Sequence, residues 1–347
     1  TGTTAAARRV WTLNTIHGLA QLQESRISRP VCTIGFFDGF HRGHASLLVD
    51  LLQWSEELRG TSTVITFSTH PKQVVEGMTP AVLTPLDRKL ELLEAAGVDT
   101  VVILPFDEQL SRWSPERFID EVLTGALGCA HLLMGFDSAF GAGAQGTPEY
   151  VGSLEDLALE LRTSPPLLIE GEAVSSSVVR RCLEKGDLTR ARRLLGRSFA
   201  LRGKVIHGDR RGHTIGFPTA NLDPGPVLVP PVGVYLGCVS ILGEIEPANL
   251  VDPSDPWPAA INIGRRPTFG TPEAPEGTPF DPDLDCLEAH LDGFEGDLYG
   301  IVIEVELHRR LRGERRFESI SALKRQIVRD VESLRDWWSA RGADESP

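Results

Sequence analysis

"PVCTIGFFDGFHRGHASLLVDLLQWSEEL" runs from Pro30 to Leu58 and decides how the first half of the chain is read. It opens with a largely apolar run, Pro30 to Phe37, the pattern of a strand buried on both faces. It closes with a helix-period stretch, His44 to Leu58. A buried strand passing at once into a helix predicts a strand-to-helix crossover of a parallel sheet. The turn between them, Gly35 to His44, is not the usual connector. Its glycines permit a sharp turn or close backbone approach to a ligand. Its histidines, His41 and His44, stand where the helix begins, the end whose free N–H groups attract anions.

The pattern continues to about residue 170. "STVITF" precedes "TPLDRKLELLEAAG", which starts at Thr84 as a candidate N-cap and stops at Gly97. "DTVVILPF" precedes "SPERFIDEVLTGAL", where Ser114 before Pro115 makes a cap-then-first-turn pair. "AHLLMGF" and "PPLLIEG" are read as two further strands. Such alternation predicts an α/β domain with a parallel sheet. Ligands in these sheets bind beyond the carboxyl ends of the strands. Both "GFFDGFHRGH" and "TFSTHP" fall there.

Beyond about 197 the pattern changes. "FALRGKVIHG", "GVYLGCVSI", "PAAINIG", "DCLEAHLDGF" and "LYGIVIEVELHRRL" are strand-like and separated by turn residues. One long helical stretch, "ISALKRQIVRDVESLRDWWSAR", comes last. This predicts a small β-barrel or sandwich capped by a helix. The intervening "SSSVVRRCLEKGDLTRARRLLGR" is helical and basic, and the expected domains are 15–197 and 198–342. The stretch 271–283, Pro-rich and acidic, is read as a loop insertion.

The 347 residues are 41% hydrophobic and carry a formal net charge of −13. No basic stripe suits bulk nucleic-acid binding. No run reaches transmembrane length. Five scattered cysteines without C-x-x-C spacing suggest reduced thiols in a cytoplasmic protein. "TGTTAAARRVW" has no apolar core behind its arginines and is expected to be a loose end rather than a secretory signal.

Four motifs carry chemistry, each with a plain reading beside it. The His41–His44 turn is a helix cap with incidental histidines, a zinc site short of its further ligands, or a nucleotide phosphate site. In the last case imidazoles and helix N–H groups would stabilise charge on an α-phosphate as pyrophosphate leaves. Ser175, Ser176 and Ser177 before a helical run, with Arg180, are caps or a phosphate clamp. "GKVIHGDRRGHTIGFPTANL", Gly203 to Leu222, is a Gly-rich hairpin or a phosphate-and-Mg²⁺ loop. Gly208, Gly212 and Gly216 would permit backbone approach, and Thr219 and Asn221 would offer oxygens. It lacks the G-K-[ST] of a Walker A loop. In "CLEAHLDGF" alternation puts Leu287 and Ala289 on one face and Glu288 and His290 on the other. Glu288 is either solvated or, facing the previous motif, a general base for a hydroxyl.

In order along the chain these pieces resemble the bacterial bifunctional riboflavin kinase/FMN adenylyltransferase (FAD synthetase) family. "TIGFFDGFHRGH", "FSTHP", "GFDSAFGAGAQGT" and "VSSSVVR" look like its adenylyltransferase motifs. "RGKVIHGDRRGHTIGFPTANL", "GVY", "AAINIGRRPTFG", "LEAHLDGFEGDLYG" and "LRGERRFESISALKRQI" look like its kinase motifs. The resemblance covers roughly 15–335. It implies a Rossmann-like nucleotidyltransferase domain that adenylylates FMN, then a six-stranded kinase barrel that phosphorylates riboflavin from ATP. By position, His41 and His44 would touch ATP phosphates, with Gly35 and Asp38 in the same turn and His70 near the nucleotide. Ser175, Ser176 and Arg180 would clamp phosphates. Thr219 and Asn221 would hold Mg²⁺ and ATP, and Glu288 would be the base. Riboflavin, FMN and ATP are the implied partners, with oligomeric state open. Three positions depart from the family pattern: Ser177 stands where it carries a threonine, Val178 where it carries an arginine, and Ser138 where it carries an aromatic. The alternative they leave open is a riboflavin kinase whose first domain only binds nucleotide or FMN.

Overall fold

The computed structural model describes residues 12–75, 81–155, 157–208, 216–243, 255–265, 280–281 and 285–344. The chain forms two compact units, Thr1–Ser176 and Ser177–Pro347.

The first unit is a six-stranded parallel sheet. Its strands are β1 (Asn14–His17), β2 (Pro30–Ile34), β3 (Thr61–Phe67), β4 (Thr100–Leu104), β5 (His131–Gly135) and β6 (Glu160–Ser164), in the order β1-β4-β3-β2-β5-β6. Setting aside edge strand β1, the remaining five strands run in the 3-2-1-4-5 order of a doubly wound nucleotide-binding sheet, which reverses between β2 and β5. Consecutive residues of a strand face opposite sides, so one sheet supports two cores. Val31, Val64, Val101, Ile103 and Leu133 pack with Leu47, Leu48, Leu51 and Trp54. Cys32, Ile34, Ile65, Val102, Leu132 and Met134 pack on the other face with Leu22, Ile119, Val122 and Leu123.

The helices that supply these residues are α1 (Gly18–Glu24), α2 (Arg42–Glu57), α3 (Pro71–Val75), α4 (Leu86–Ala95), α5 (Glu108–Ser111), α6 (Pro115–Phe118) and α7 (Pro148–Gly152). α6 runs into a π-helical stretch, Ile119–Ala126. The Ser114 cap forms as expected, accepting from the Arg117 N–H. Thr84 does not cap α4. The N-cap position falls on Pro85, and the Thr84 N–H donates to the Asp38 carboxylate.

"PPLLIEG" is not a strand of this sheet. Pro165 and Pro166 have no N–H to give a ladder. The segment instead makes a two-stranded hairpin of β7 (Leu168–Ile169) and β8 (Glu172–Ala173). The sheet's last strand is β6 just before it, a polar edge strand without an apolar signature.

The second unit starts with two short amphipathic helices, α8 (Ser176–Glu184) and α9 (Leu188–Leu195), broken at Gly186 and capped again by Asp187. A closed barrel follows. It is made of β9 (Phe199–Ile206), β10 (Ala220–Asp223), β11 (Gly233–Ile241), β12 (Trp257–Arg265), β13 (Asp285–Leu291) and β14 (Val302–Arg312), in the order β10-β13-β12-β11-β14-β9. Every described pairing is antiparallel. Leu201, Leu222, Ile261, Leu287, Ala289 and Val305 are among its buried residues. The final helix is α10 (Ile320–Asp344), anchored in part by Asp330, which pairs with Arg312 at 2.7 Å. The sequence boundary at 197/198 gives α8 and α9 to the first domain. The compact unit includes them because α9 packs on β9 and β14. Most of the 271–283 insertion lies outside the described residues.

Candidate active sites

The first site begins with backbone strain. Leaving β2, the chain takes Phe37, Gly39 and Phe40 through positive φ, at +54°, +77° and +39°. For phenylalanine that conformation costs on the order of 1–3 kcal/mol and persists only where surroundings enforce it. Here they do. The Asp38 carboxylate, almost fully buried, accepts from the Leu83 and Thr84 N–H groups at 2.8 and 3.1 Å. Its carbonyl accepts from the Ser176 hydroxyl at 2.9 Å. A Cβ on Gly39 would lie 2.8 Å from the Leu83 side chain, so only glycine fits.

The turn delivers His41 as N-cap of α2, with its Nδ1 accepting from the His44 N–H at 3.2 Å. With Nδ1 an acceptor, the neutral ring carries its proton on Nε2 and can donate. The His44 ring stacks on it, centroids 3.7 Å apart. Both histidines line a cleft where the carboxyl ends of β2 and β5 diverge. Gly35, Ser175 and Ser176 line it too, as do Phe136 to Ser138. Among the described residues, the cleft thus joins three sequence motifs that lie up to 140 positions apart, from Gly35 to Ser175. It gathers them at the switch point of the strand order, where such folds bind nucleotides.

Not every expected residue stands there. Asp38 turns its carboxylate to the 83–84 backbone and lies outside the lining, as does His70, whose Nδ1 accepts from the Lys72 N–H. Arg180 is four residues past Ser176 on α8, hence on the same helix face. Val178 is buried with Val179, Cys182 and Leu183 on the apolar face of α8. Ser138 accepts from the Gly135 N–H at 3.1 Å and so closes the turn after β5. Phe136, 39% exposed in the cleft, is a lining aromatic that the motif reading passed over. Lys89 carries no sequence signal either, since helical periodicity gives no hint that its ammonium is buried.

The second site lies on the outer face of the barrel. Leu287 and Ala289 point inward and are fully buried, which leaves Glu288 and His290 outside. Register then places Glu288 between two asparagines, Asn221 on β10 and Asn262 on β12. Thr219, two residues before Asn221, shares that face, since Ala220 between them is buried. The Asn221 amide packs against Gly208, where a Cβ would lie 2.3 Å from its nitrogen. His290 Nδ1 lies 2.8 Å from the Pro218 carbonyl and holds the start of β10 in place. Gly216 adopts φ +87°, a left-handed turn with nothing crowding it. Gly212 lies outside the described residues. Thr219, Asn221 and Glu288 offer only hard oxygen donors on one face, and Gly208 leaves the amide room. That set fits Mg²⁺ rather than a soft metal.

One other metal-type group exists among the described residues: Cys238, Glu306 and His308, with ligand atoms within 4.8 Å of one another. Arg341 donates to the Cys238 sulfur at 3.9 Å and already supplies positive charge there. Burial pushes this thiol up to about 11, so it is unreactive at neutral pH.

A family profile described as FAD synthetase matches residues 23–178, and one described as riboflavin kinase matches 195–338. A bifunctional riboflavin kinase/FMN adenylyltransferase from Bacillus subtilis is 32% identical over 90% of this chain and 93% of its own. The protein of that name from Pseudomonas fluorescens is 36% identical over 88% and 92%. The one from Escherichia coli K12 is 34% identical over 93% and 97%. A solved structure described as a macrolide-efflux protein from Streptococcus pneumoniae superposes with a TM-score of 0.78 at 26% identity, covering 94% of this chain. With a strained turn leading into His41 and His44 at the switch point of one unit, a Glu288–Asn221 face on the barrel of the other, and matches spanning both, the chain belongs to the bifunctional riboflavin kinase/FMN adenylyltransferase family.

Proposed function

We infer that the chain phosphorylates riboflavin to FMN with one ATP and joins the AMP of a second ATP to FMN, giving FAD and pyrophosphate. The observation that carries this reading is the presence of two phosphate-type sites in one chain, each assembled within its own unit. The kinase-only alternative rested on Val178 and Ser138. Both have structural roles of their own, in the apolar face of α8 and in the turn after β5, so neither speaks for a disabled first unit.

In the barrel, the Glu288 carboxylate takes the proton of the riboflavin 5′-hydroxyl as its oxygen bonds to the γ-phosphorus and ADP leaves. Asn221 and Asn262 flank it on the neighbouring strands. Thr219 and Asn221 would hold Mg²⁺, which neutralises charge on the phosphates when bound. In the first unit, an FMN phosphate oxygen bonds to the α-phosphorus of ATP and the bond to pyrophosphate breaks. His41 and His44, with the α2 N–H groups, donate to the phosphate oxygens as charge develops. Ser175 and Ser176 hold the phosphates, and Gly35 leaves room for them. His70 stands outside the cleft and accepts from the Lys72 N–H at the start of α3. The five free cysteines support a cytoplasmic setting, and no described helix is long and apolar enough to cross a membrane. Chromatography of riboflavin incubated with ATP and Mg²⁺ tests the whole reading: FMN appears first and FAD follows. FMN alone returns the chain to the kinase-only alternative.

A further inference from the structure

Lys89 stands out among the charged residues of the first unit. It is 1% exposed, one of the largest fully buried side chains of the protein. Its ammonium lies 4.0 Å over the Phe36 ring. The His70 ring meets the same phenylalanine edge-on at 4.6 Å. Among the described residues no hydrogen bond or ion pair to that ammonium is found. The charge that acts on it is the Asp38 carboxylate, on the turn. A buried ammonium held only by an aromatic face and a nearby carboxylate is unfavourable for the fold. Phe36 and Asp38 are the residues through which β2 passes into the strained turn. The Phe36 carbonyl also accepts from the Thr66 hydroxyl, which ties the same stretch to β3.

We propose that Lys89 is a positioning residue of adenylyl transfer: its buried charge holds the Phe36–Asp38 stretch, and through it the turn that presents His41 and His44. Lys89 is absent from the cleft lining and does not touch the phosphates. Its charge acts by attracting the Asp38 carboxylate and the Phe36 face together across a turn that would otherwise relax from positive φ. A neutral side chain of the same length fills the space and leaves the turn free to shift. Displacements near 1 Å in such a constellation reduce rates by on the order of 10²-fold.

This inference rests on the adenylyltransferase reading, and its test separates the two. Lys89→Met and Lys89→Arg are compared with wild type for FMN formation and for FAD formation from FMN. Lys89→Met is expected to lose about 10- to 100-fold in kcat for FAD formation, with FMN formation unchanged. Lys89→Arg is expected to keep more activity. The pH profile supplies a readout that mere packing would not move. Burial lowers the Lys89 ammonium to about 8, so wild-type FAD formation declines above that pH. Lys89→Arg, which stays charged, carries the decline upward by more than about one pH unit. The groups facing Lys89 are the Asp38 carboxylate and His70, which meets the same ring. Lys89→Met with wild-type kcat overturns the proposal. So does an arginine variant whose alkaline limb coincides with the wild type's. A wild-type chain that makes FMN but never FAD overturns the underlying reading instead.

Discussion

Asn221 and Glu288 are direct partners across the β10–β13 ladder, and both point away from the barrel core. The amide and the carboxylate come from positions 67 residues apart, and antiparallel register alone makes them neighbours. Glu288→Gln preserves size and the pairing but removes the base. FMN formation is expected to fall by on the order of 10²-fold or more, with FAD formation from added FMN retained. Steady-state rates of the two reactions, measured separately, check this.

Gly208 tests the same face from the other side. A methyl group there would sit 2.3 Å from the Asn221 amide nitrogen. Gly208→Ala is expected to push Asn221 out of place and lower kinase activity. The barrel's thermal transition should move little, since the strain falls on a surface amide. Adding Asn221→Ala is expected to relieve the clash without restoring activity. That makes the pair non-additive, which a double-mutant cycle reads directly.

The His41–His44 turn is confined to the first unit. Replacing both histidines with alanine is expected to abolish FAD formation while FMN formation continues. Losing one donor to a developing oxyanion costs about 2.7–4 kcal/mol of barrier, so losing two takes the rate below detection. Product chromatography checks it, and loss of both products would assign the histidines to folding.

Lys89 makes a stability prediction with a definite sign. Its ammonium is lowered to about 8, chiefly by burial and against the Asp38 charge, from an ordinary 10.5. Between those values the unfolded chain binds the extra proton, so this group's contribution to stability rises with pH across the window. Below pH 8 the burial penalty is present in full. Lys89→Met removes the titration. Its stability relative to wild type should therefore drop by on the order of 3 kcal/mol between pH 7 and 10.5. Urea unfolding of both proteins at several pH values measures the difference.

The barrel depends on the helix that precedes it. Leu188, Leu194 and Leu195 of α9 are buried, and α9 packs on β9 and β14. A fragment beginning at Ser177 is expected to fold and make FMN. A fragment beginning at Ser198 exposes the surface that these leucines cover. At about 1.5–3 kcal/mol for each buried leucine, it should be several kcal/mol less stable. Circular dichroism melts of both fragments decide it.

Local pattern in the sequence already determined most of the elements and the residue types of both sites. Period-2 and period-3.6 signals identify the elements that bury a full face, such as β2, α2 and α10. Glycines and histidines at a strand's carboxyl end announced the turn. Elements without that signature stayed hidden. Edge strands β1 and β6 bury too little to show a pattern, and two prolines under an apolar run imitated a strand at 165–171. Only the tertiary structure decided the rest. Strand order set β2 beside β5 and so brought Gly135 to Ser138 to the cleft. Register made Asn221 and Asn262 the flanks of Glu288. Packing of α4 buried Lys89 beside Phe36 and drew the Asp38 carboxylate away from the cleft to the 83–84 backbone. Residue type and spacing are local properties of the chain, whereas register and burial depend on which distant segments meet.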